Sequence, residues 1–206
     1  MANYNLNHLT QSEKQDVIGP IQDDEALLLY AIIRVMRLKN IVELGGLGGY
    51  SALNFSKAVG DAGKVISVDI NKTPKVAENH HVVVGNCSST TPAMLKIKHI
   101  DLLFFDTHDF DASMIFFRNM SGHGLIDSKT ILALHDTGTH PKKFVPWAYS
   151  TKQGYVHQPV ERKIVNKLVR MGYHALCCHT DPSVHNDNFP YRHGITILSK
   201  FKQLAV

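Results

Sequence analysis

Two groups of residues in this 206-residue chain have the types and spacing to do chemistry. The first is the run Glu43-Leu44-Gly45-Gly46-Leu47-Gly48-Gly49-Tyr50-Ser51 together with Asp69, 24 residues beyond Gly45. Glycines let backbone approach a ligand where a side chain would collide, and an acid at that remove is placed to accept hydrogen bonds from ribose hydroxyls. A dinucleotide fingerprint would need the third glycine of G-x-G-x-x-G, but counting from Gly46 and Gly48 that position is Ser51, and Glu43 would set negative charge against a pyrophosphate. Both departures favour a ligand without phosphates and with a cationic end. The second group is Asp106-Thr107-His108 with His135-Asp136-Thr137, its two aspartates 30 residues apart. Paired carboxylates can share a hard cation such as Mg²⁺, Mn²⁺ or Ca²⁺, and a histidine beside them can remove a hydroxyl proton near neutral pH.

Such residues need elements to hold them. Asp24 to Leu38 reads as a helix, with Asp23 able to cap it, Asp24 and Glu25 at the positive end of its dipole, and Arg34 and Arg37 on an exposed side. Strands are expected at Ile41 to Leu44, Val65 to Asp69, His81 to Val84, Ile100 to Phe105 and Ile131 to Leu134. Helices are expected from Tyr50 to Val59, ended by Gly60, and from Phe110 to Met120, burying Met114, Ile115 and Phe117. Pro159 suits the first position of a last helix striped by Val160, Ile164, Val165, Leu168 and Met171, and two strands follow, His174 to His179 and Gly194 to Ser199, separated by the long loop Asp181 to Arg192. This alternation indicates an α/β fold: a doubly wound Rossmann-like sheet, mostly parallel with a C-terminal antiparallel strand. A single domain over residues 1–206 is expected, the first twenty or so forming an extension or arm. Ligands of such sheets bind beyond the carboxyl ends of the strands, where both groups of residues fall.

The pattern E-L-G-x-x-x-G-Y-S-A, the acid closing the second strand in Val-Asp-Ile-Asn, and the pairs Phe-Asp and His-Asp-Thr closing strands four and five resemble class I methyltransferases. More narrowly the chain is similar to the catechol O-methyltransferase-like group, which includes sugar and antibiotic methyltransferases related to cephalosporin hydroxylase-type proteins. The likeness runs from about Gln22 to Thr137. It implies S-adenosylmethionine as cofactor, whose amino group, sulfonium and ribose suit the acidic turn. It further implies that Glu43 and Gly45 meet the methionine part, that Tyr50 and Ser51 lie beside its amino acid end, that Asp69 binds ribose and Ile70 touches adenine, that Asn86, Cys87 and Ser88 line the adenine pocket, and that Leu47, Asp106 and Thr107 also bind the cofactor. Asp106, Asp136 and His108 would hold a divalent cation, Mg²⁺ or another, against a substrate oxygen. Thr137 stands where the catechol-type enzymes carry Asn, and Asp106-Thr107-His108 is one residue shorter than the Asp-x-x-His of the sugar-modifying relatives. A cation and a plain loop-anchoring role therefore both stay open.

The expected activity is an S-adenosylmethionine-dependent O-methyltransferase acting on a small hydroxylated acceptor, a sugar, catechol-like molecule or natural product, with His108 as general base. A nicotinamide oxidoreductase and a non-catalytic cofactor-binding protein are the alternatives. From Pro141 to Arg170 the chain holds Lys142, Lys143, Lys152, Arg162, Lys163, Lys167 and Arg170 against Glu161 alone, which suits a solvated helix face or an anionic substrate, and His157, Glu161 and Arg162 are expected to close the acceptor cleft. Three cysteines, two of them adjacent (Cys177 and Cys178), argue against a disulfide framework, and no C-x-x-C pair supports zinc at Cys178, His179 and His185. No apolar run reaches the roughly 18 residues of a membrane span, and the mild net charge of +4 does not point to nucleic acid. A cytoplasmic protein is expected, and a homodimer stays open.

Overall fold

In a computed structural model the described residues are 21, 23–137, 148–151, 154–157, 160–178 and 194–201, with backbone only for 23, 148–151 and 154–157. Helix α1 (Asp23–Met36) leads into strand β1 (Asn40–Leu44), helix α2 (Tyr50–Val59), β2 (Lys64–Asp69), β3 (His80–Val84), helix α3 (Pro92–Leu95), β4 (Leu102–Phe105), helix α4 (Phe110–Gly122) and β5 (Ile131–Leu134). After these come β6 (Ala148–Thr151), β7 (Gly154–His157), helix α5 (Val160–Arg170), β8 (His174–Cys178) and β9 (Ile195–Ser199). One seven-stranded sheet has the order β3-β2-β1-β4-β5-β9-β8, and only β9 runs antiparallel to its neighbours. The order reverses between β1 and β4, so a crevice opens there above the strand ends.

Side-chain alternation along each central strand builds two cores. Leu102 and Phe104 face one side of the sheet with Ile41, Val65 and Ala133, under Ala26, Leu29 and Ile33 of α1 and Ala52 and Phe55 of α2. Leu103 and Phe105 face the other with Val42, Ile66 and Leu132, under Phe116, Phe117 and Met120 of α4 and Ile164 and Leu168 of α5. Strands covered on both faces read as unbroken apolar runs, which is why Leu-Leu-Phe-Phe and Ile-Leu-Ala-Leu are legible as strands.

Several boundaries differ from the sequence expectation. Helix α1 stops at Met36, because Arg37 turns left-handed at φ 55, and β4 begins at Leu102, because the Asp101 carboxylate is spent capping the amides of Lys39 and Asn40 at 2.9 and 2.8 Å. In α4 Ile115 is only partly buried while Phe116 and Met120 are fully buried, and Met171 is exposed beyond α5. The hairpin β6–β7 lies inside the stretch expected only to be basic, and α3 and a 3-10 turn at Cys87–Ser89 were not anticipated from the pattern, being too short to carry a periodicity. Pro159, His179 and the loop 181–192 lie outside the described residues. Among the described residues no helix is long and apolar enough to cross a membrane.

Candidate functional site

The glycine turn sits between β1 and α2, and the acid ending β2 braces it. Asp69 Oδ2 accepts the amides of Gly46 and Leu47 at 2.8 and 3.0 Å, and Oδ1 accepts that of Asn71 at 2.8 Å. Here the carboxylate expected to meet ribose also organises the turn. Leu47 and Ile70 on either side are 67% and 69% exposed, an apolar surface that no packing among the described residues explains. The neighbouring β3 loop is joined through Gly85, whose amide donates to the Asp69 carbonyl at 2.8 Å. There the Asn86 side chain accepts from the Ser88 amide at 2.9 Å and closes the turn. Cys87 is buried, and burial, then the Asp109 charge, pushes its thiol up to about 11, so it packs as a neutral side chain.

The glycines are not all there for a ligand. A Cβ on Gly45 would lie 2.3 Å from the Asp106 carbonyl oxygen, one on Gly46 2.7 Å from Thr73 Oγ1, and one on Gly49 2.7 Å from Val76, whereas Gly48 has open space within 4 Å. Beneath the turn, Glu43 is fully buried. Ser51 and Ser67 each donate a hydroxyl hydrogen bond to it, Ser67 at 2.5 Å, and Ser67 lies 2.8 Å from His80 Nε2 while the Val76 amide donates to His80 Nδ1 at 3.2 Å. Burial raises the Glu43 carboxyl to about 7, against the hydrogen bonds from Ser51 and Ser67, and burial lowers His80 to about 4. Ser51 therefore serves Glu43, and the acid lies behind the turn and not on its surface.

Across the order reversal stand the ends of β4 and β5, paired in register at Phe105 and Leu134. One ligand atom from each of Asp106, His108 and Asp136 lies within 4.8 Å of the others. His108 and Asp136 both adopt left-handed backbone, φ 54 in each, which costs free energy in residues other than glycine and turns the two side chains toward each other. The ring of His108 is fixed from behind: its Nδ1 lies 2.8 Å from Glu161 Oε1, which also accepts the His108 amide at 3.0 Å, while Nε2 faces Asp106 at 3.7 Å and Asp136 at 3.9 Å. His135 is buried between Glu25 (3.1 Å), Asp106 (3.3 Å) and Asp136 (3.5 Å). Burial would lower both histidines, but the carboxylates around them, Glu161 foremost for His108 and Asp136 foremost for His135, carry them above the ordinary value. Four carboxyl groups thus face two imidazoles, a surplus of negative charge that a divalent cation would offset.

These placements add tertiary partners to the residues read from the sequence. His108, expected as the general base, faces three carboxylates that raise its affinity for a proton, Glu161 foremost. Thr137 does not stand in for the missing Asn, since its hydroxyl is 2.7 Å from Thr196 on β9. Thr107 is tied to Ser113 of α4 at 2.7 Å. Tyr50 opens α2 half-buried. Glu161 meets His108 and Arg162 donates to the Thr137 carbonyl at 2.8 Å, so the start of α5 contacts both loops; the side chain of His157 lies outside the described residues. Glu25, Ser67 and His80 were missed. A buried acid in the first turn of an amphipathic helix looks like a dipole partner, and serine or histidine at a strand position carries no motif.

A profile of the O-methyltransferase family matches residues 4–89. Among solved structures the chain is similar to the O-methyltransferase from Bacillus cereus in complex with S-adenosylhomocysteine, with 14% identity, TM-score 0.61, and 97% of this chain and 93% of that one covered. It is likewise similar to the S-adenosylhomocysteine-bound methyltransferase PaMTH1 of Podospora anserina (15%, 0.61, 95% and 86%) and to the O-methyltransferase TomG of Streptomyces achromogenes, involved in tomaymycin synthesis and solved with S-adenosylmethionine (15%, 0.58, 97% and 90%). At these identities the structures establish the fold, and the family profile covers the segment that carries the glycine turn. The chain thus has the fold of these methyltransferases and, over residues 4–89, a match to the O-methyltransferase profile.

Proposed function

We propose that the protein transfers the methyl group of S-adenosylmethionine to an oxygen of a small hydroxylated acceptor, with donor and acceptor meeting over the seam between Gly45 and Asp106. That seam is the observation that carries the reading. The cofactor turn and the acidic cluster touch there, the Asp106 amide donating to the Leu44 carbonyl at 2.8 Å, so a methyl donor seated on the first lies beside whatever oxygen the second holds. Asp69 with exposed Leu47 and Ile70 suits a nucleoside, one edge polar and one face apolar, and open space above Gly48 leaves room for it. Asn86 and Ser88 border the same pocket.

Methyl transfer from a sulfonium is an in-line displacement, so the protein's task is to hold donor carbon and acceptor oxygen in near-attack geometry and to ease loss of the acceptor's proton. Asp106, Asp136 and His108 fit a divalent cation in donor type, proximity and surplus charge, and Glu25 and Glu161 sit behind them. A bound cation would acidify and orient the acceptor hydroxyl. Asp106 and Asp136 anchor the acceptor side, His135 holds Asp106 in place, and Arg162 draws the start of α5 over the loop at Thr137. A nicotinamide enzyme is disfavoured by Ser51 at the third glycine position.

The test is calorimetric titration with S-adenosylhomocysteine and with NAD, followed by transfer of labelled methyl to a panel of catechols, sugars and phenolic natural products. Binding of the first ligand alone, with turnover on one acceptor class, is expected. No binding at millimolar S-adenosylhomocysteine would overturn the proposal.

A further inference from the structure

The three groups that face one another at the ends of β4 and β5 are not all oxygen donors. His108 presents a nitrogen, and its other ring nitrogen is held by a buried carboxylate from a different element, Glu161 at the start of α5. Glu161 Oε1 takes both the ring N–H and the backbone N–H of His108, fixing the ring and the left-handed backbone beneath it in one contact. Its second oxygen is buried with no hydrogen-bond partner among the described residues, leaving a lone pair for a cation-bound water. With Nδ1 committed to Glu161, Nε2 is the ring nitrogen left facing Asp106 and Asp136. Carboxylate behind, imidazole between and cation in front is the arrangement that fixes the tautomer and raises the basicity of a ligating histidine. Imidazole nitrogen suits first-row transition cations, while Mg²⁺ and Ca²⁺ take oxygen donors.

Building on the cation reading above, we propose that Asp106, Asp136 and His108 form a site selective for a first-row transition cation such as Mn²⁺ or Co²⁺ over Mg²⁺ and Ca²⁺, with Glu161 as the positioning residue that aims His108. The chain's departures from its relatives then belong together. Thr137 has withdrawn to β9, and His108, brought one residue closer by the shortened run, supplies the third donor.

The experiment uses the full chain freed of metal by chelator. Binding of Mn²⁺ is followed by loss of the free-ion paramagnetic resonance signal, with Mg²⁺ and Ca²⁺ as competitors, and Co²⁺ by its visible spectrum. Wild type should bind Mn²⁺ in the presence of a hundredfold excess of Mg²⁺. His108→Asn, which offers an amide oxygen, should lose most of that preference and alter the Co²⁺ spectrum. Glu161→Ala should weaken Mn²⁺ binding by about 10- to 100-fold, with partial recovery in Glu161→Gln and no further loss when combined with His108→Asn. An S-adenosylhomocysteine-induced rise in melting temperature shows that each variant is folded. If Mg²⁺ displaces Mn²⁺ at equal concentration, or if His108→Asn leaves the preference and spectrum unchanged, the nitrogen-donor proposal fails while the cation site stands. If none of these cations binds, both fail.

Discussion

Gly45 and Gly48 occupy the same turn, yet the structure assigns them opposite duties, and alanine at each separates architecture from binding. At Gly45 φ is +91, and a Cβ would lie 2.3 Å from the Asp106 carbonyl oxygen and 2.8 Å from its carbon. Neither neighbour can swing aside, since Asp106 is held to β1 through its amide on the Leu44 carbonyl. Left-handed backbone costs an alanine about 1–2 kcal/mol. Overpacking adds about 1–3 kcal/mol. A loss of about 2–5 kcal/mol in a chain of this size lowers Tm by roughly 4–20 °C. At Gly48 nothing lies within 4 Å and the backbone is not left-handed, so Gly48→Ala should leave Tm unchanged or raise it slightly through the unfolded chain. Thermal melts with and without S-adenosylhomocysteine read both duties. Gly45→Ala should melt early even without ligand, whereas Gly48→Ala should melt like wild type and lose the ligand-induced rise. Equal melting of the two apo variants would refute the division of labour, and a full ligand response in Gly48→Ala would turn that glycine toward solvent.

Asp69→Ala should weaken S-adenosylhomocysteine by the worth of a charge-assisted hydrogen bond, about 1.5–3 kcal/mol, measured by calorimetry; unchanged affinity would leave Asp69 as a brace for Gly46 and Leu47 only. His108→Ala should lower turnover by about 10²- to 10⁴-fold with cofactor affinity nearly intact, and a parallel loss of both would move His108 into the cofactor pocket. Dialysis against chelator should abolish methylation and added cation restore it, full activity without metal being the refuting result. Glu43→Gln should produce a stability that rises with pH between about 4 and 6.5, and His80→Asn one that falls between about 4.5 and 7, both seen in melts across pH.

How much of this was legible depended on whether a residue's job shows in its neighbours along the chain. Asp106 and Asp136 follow unmistakable buried strands, so parallel pairing alone brings them together. Asp69 sits at a fixed remove from its glycines. Glu25 and Glu161, by contrast, act across tertiary distance, 110 residues from His135 and 53 from His108, and helix sequence shows only that an acid stands in a first turn. The glycine run misled in a different way: composition makes every glycine look ligand-facing, while the spatial neighbours of Gly45, Gly46 and Gly49 are protein. His108 is expected as a base because histidine titrates near neutrality. Of the three carboxylates around it, Asp136 follows β5 and Glu161 lies in α5, so they could not be counted from the local run.

The opposite pH slopes expected of Glu43 and His80 come from one buried chain. An acid whose folded value is raised from 4.5 to about 7 holds its proton more tightly folded than unfolded, so it subtracts nothing below 4.5 and its full penalty above about 7. A histidine lowered from 6.5 to about 4 is the reverse case, neutral when folded and protonated when unfolded, so its penalty grows as pH falls from 6.5 to about 4. Each penalty is on the order of 3 kcal/mol at its limit. Over most of the shared window the two slopes cancel, and a wild type that melts evenly there conceals both. Ser67 couples them, donating to Glu43 while standing 2.8 Å from His80 Nε2. With His80 Nδ1 taken by the Val76 amide, Nε2 carries the ring proton, and Ser67 is left to donate to Glu43. The turn above, held by Asp69 and Gly45, therefore rests on an acid whose hydrogen-bond partners are already assigned, and ligand charge arriving at the turn meets a carboxyl poised near neutrality.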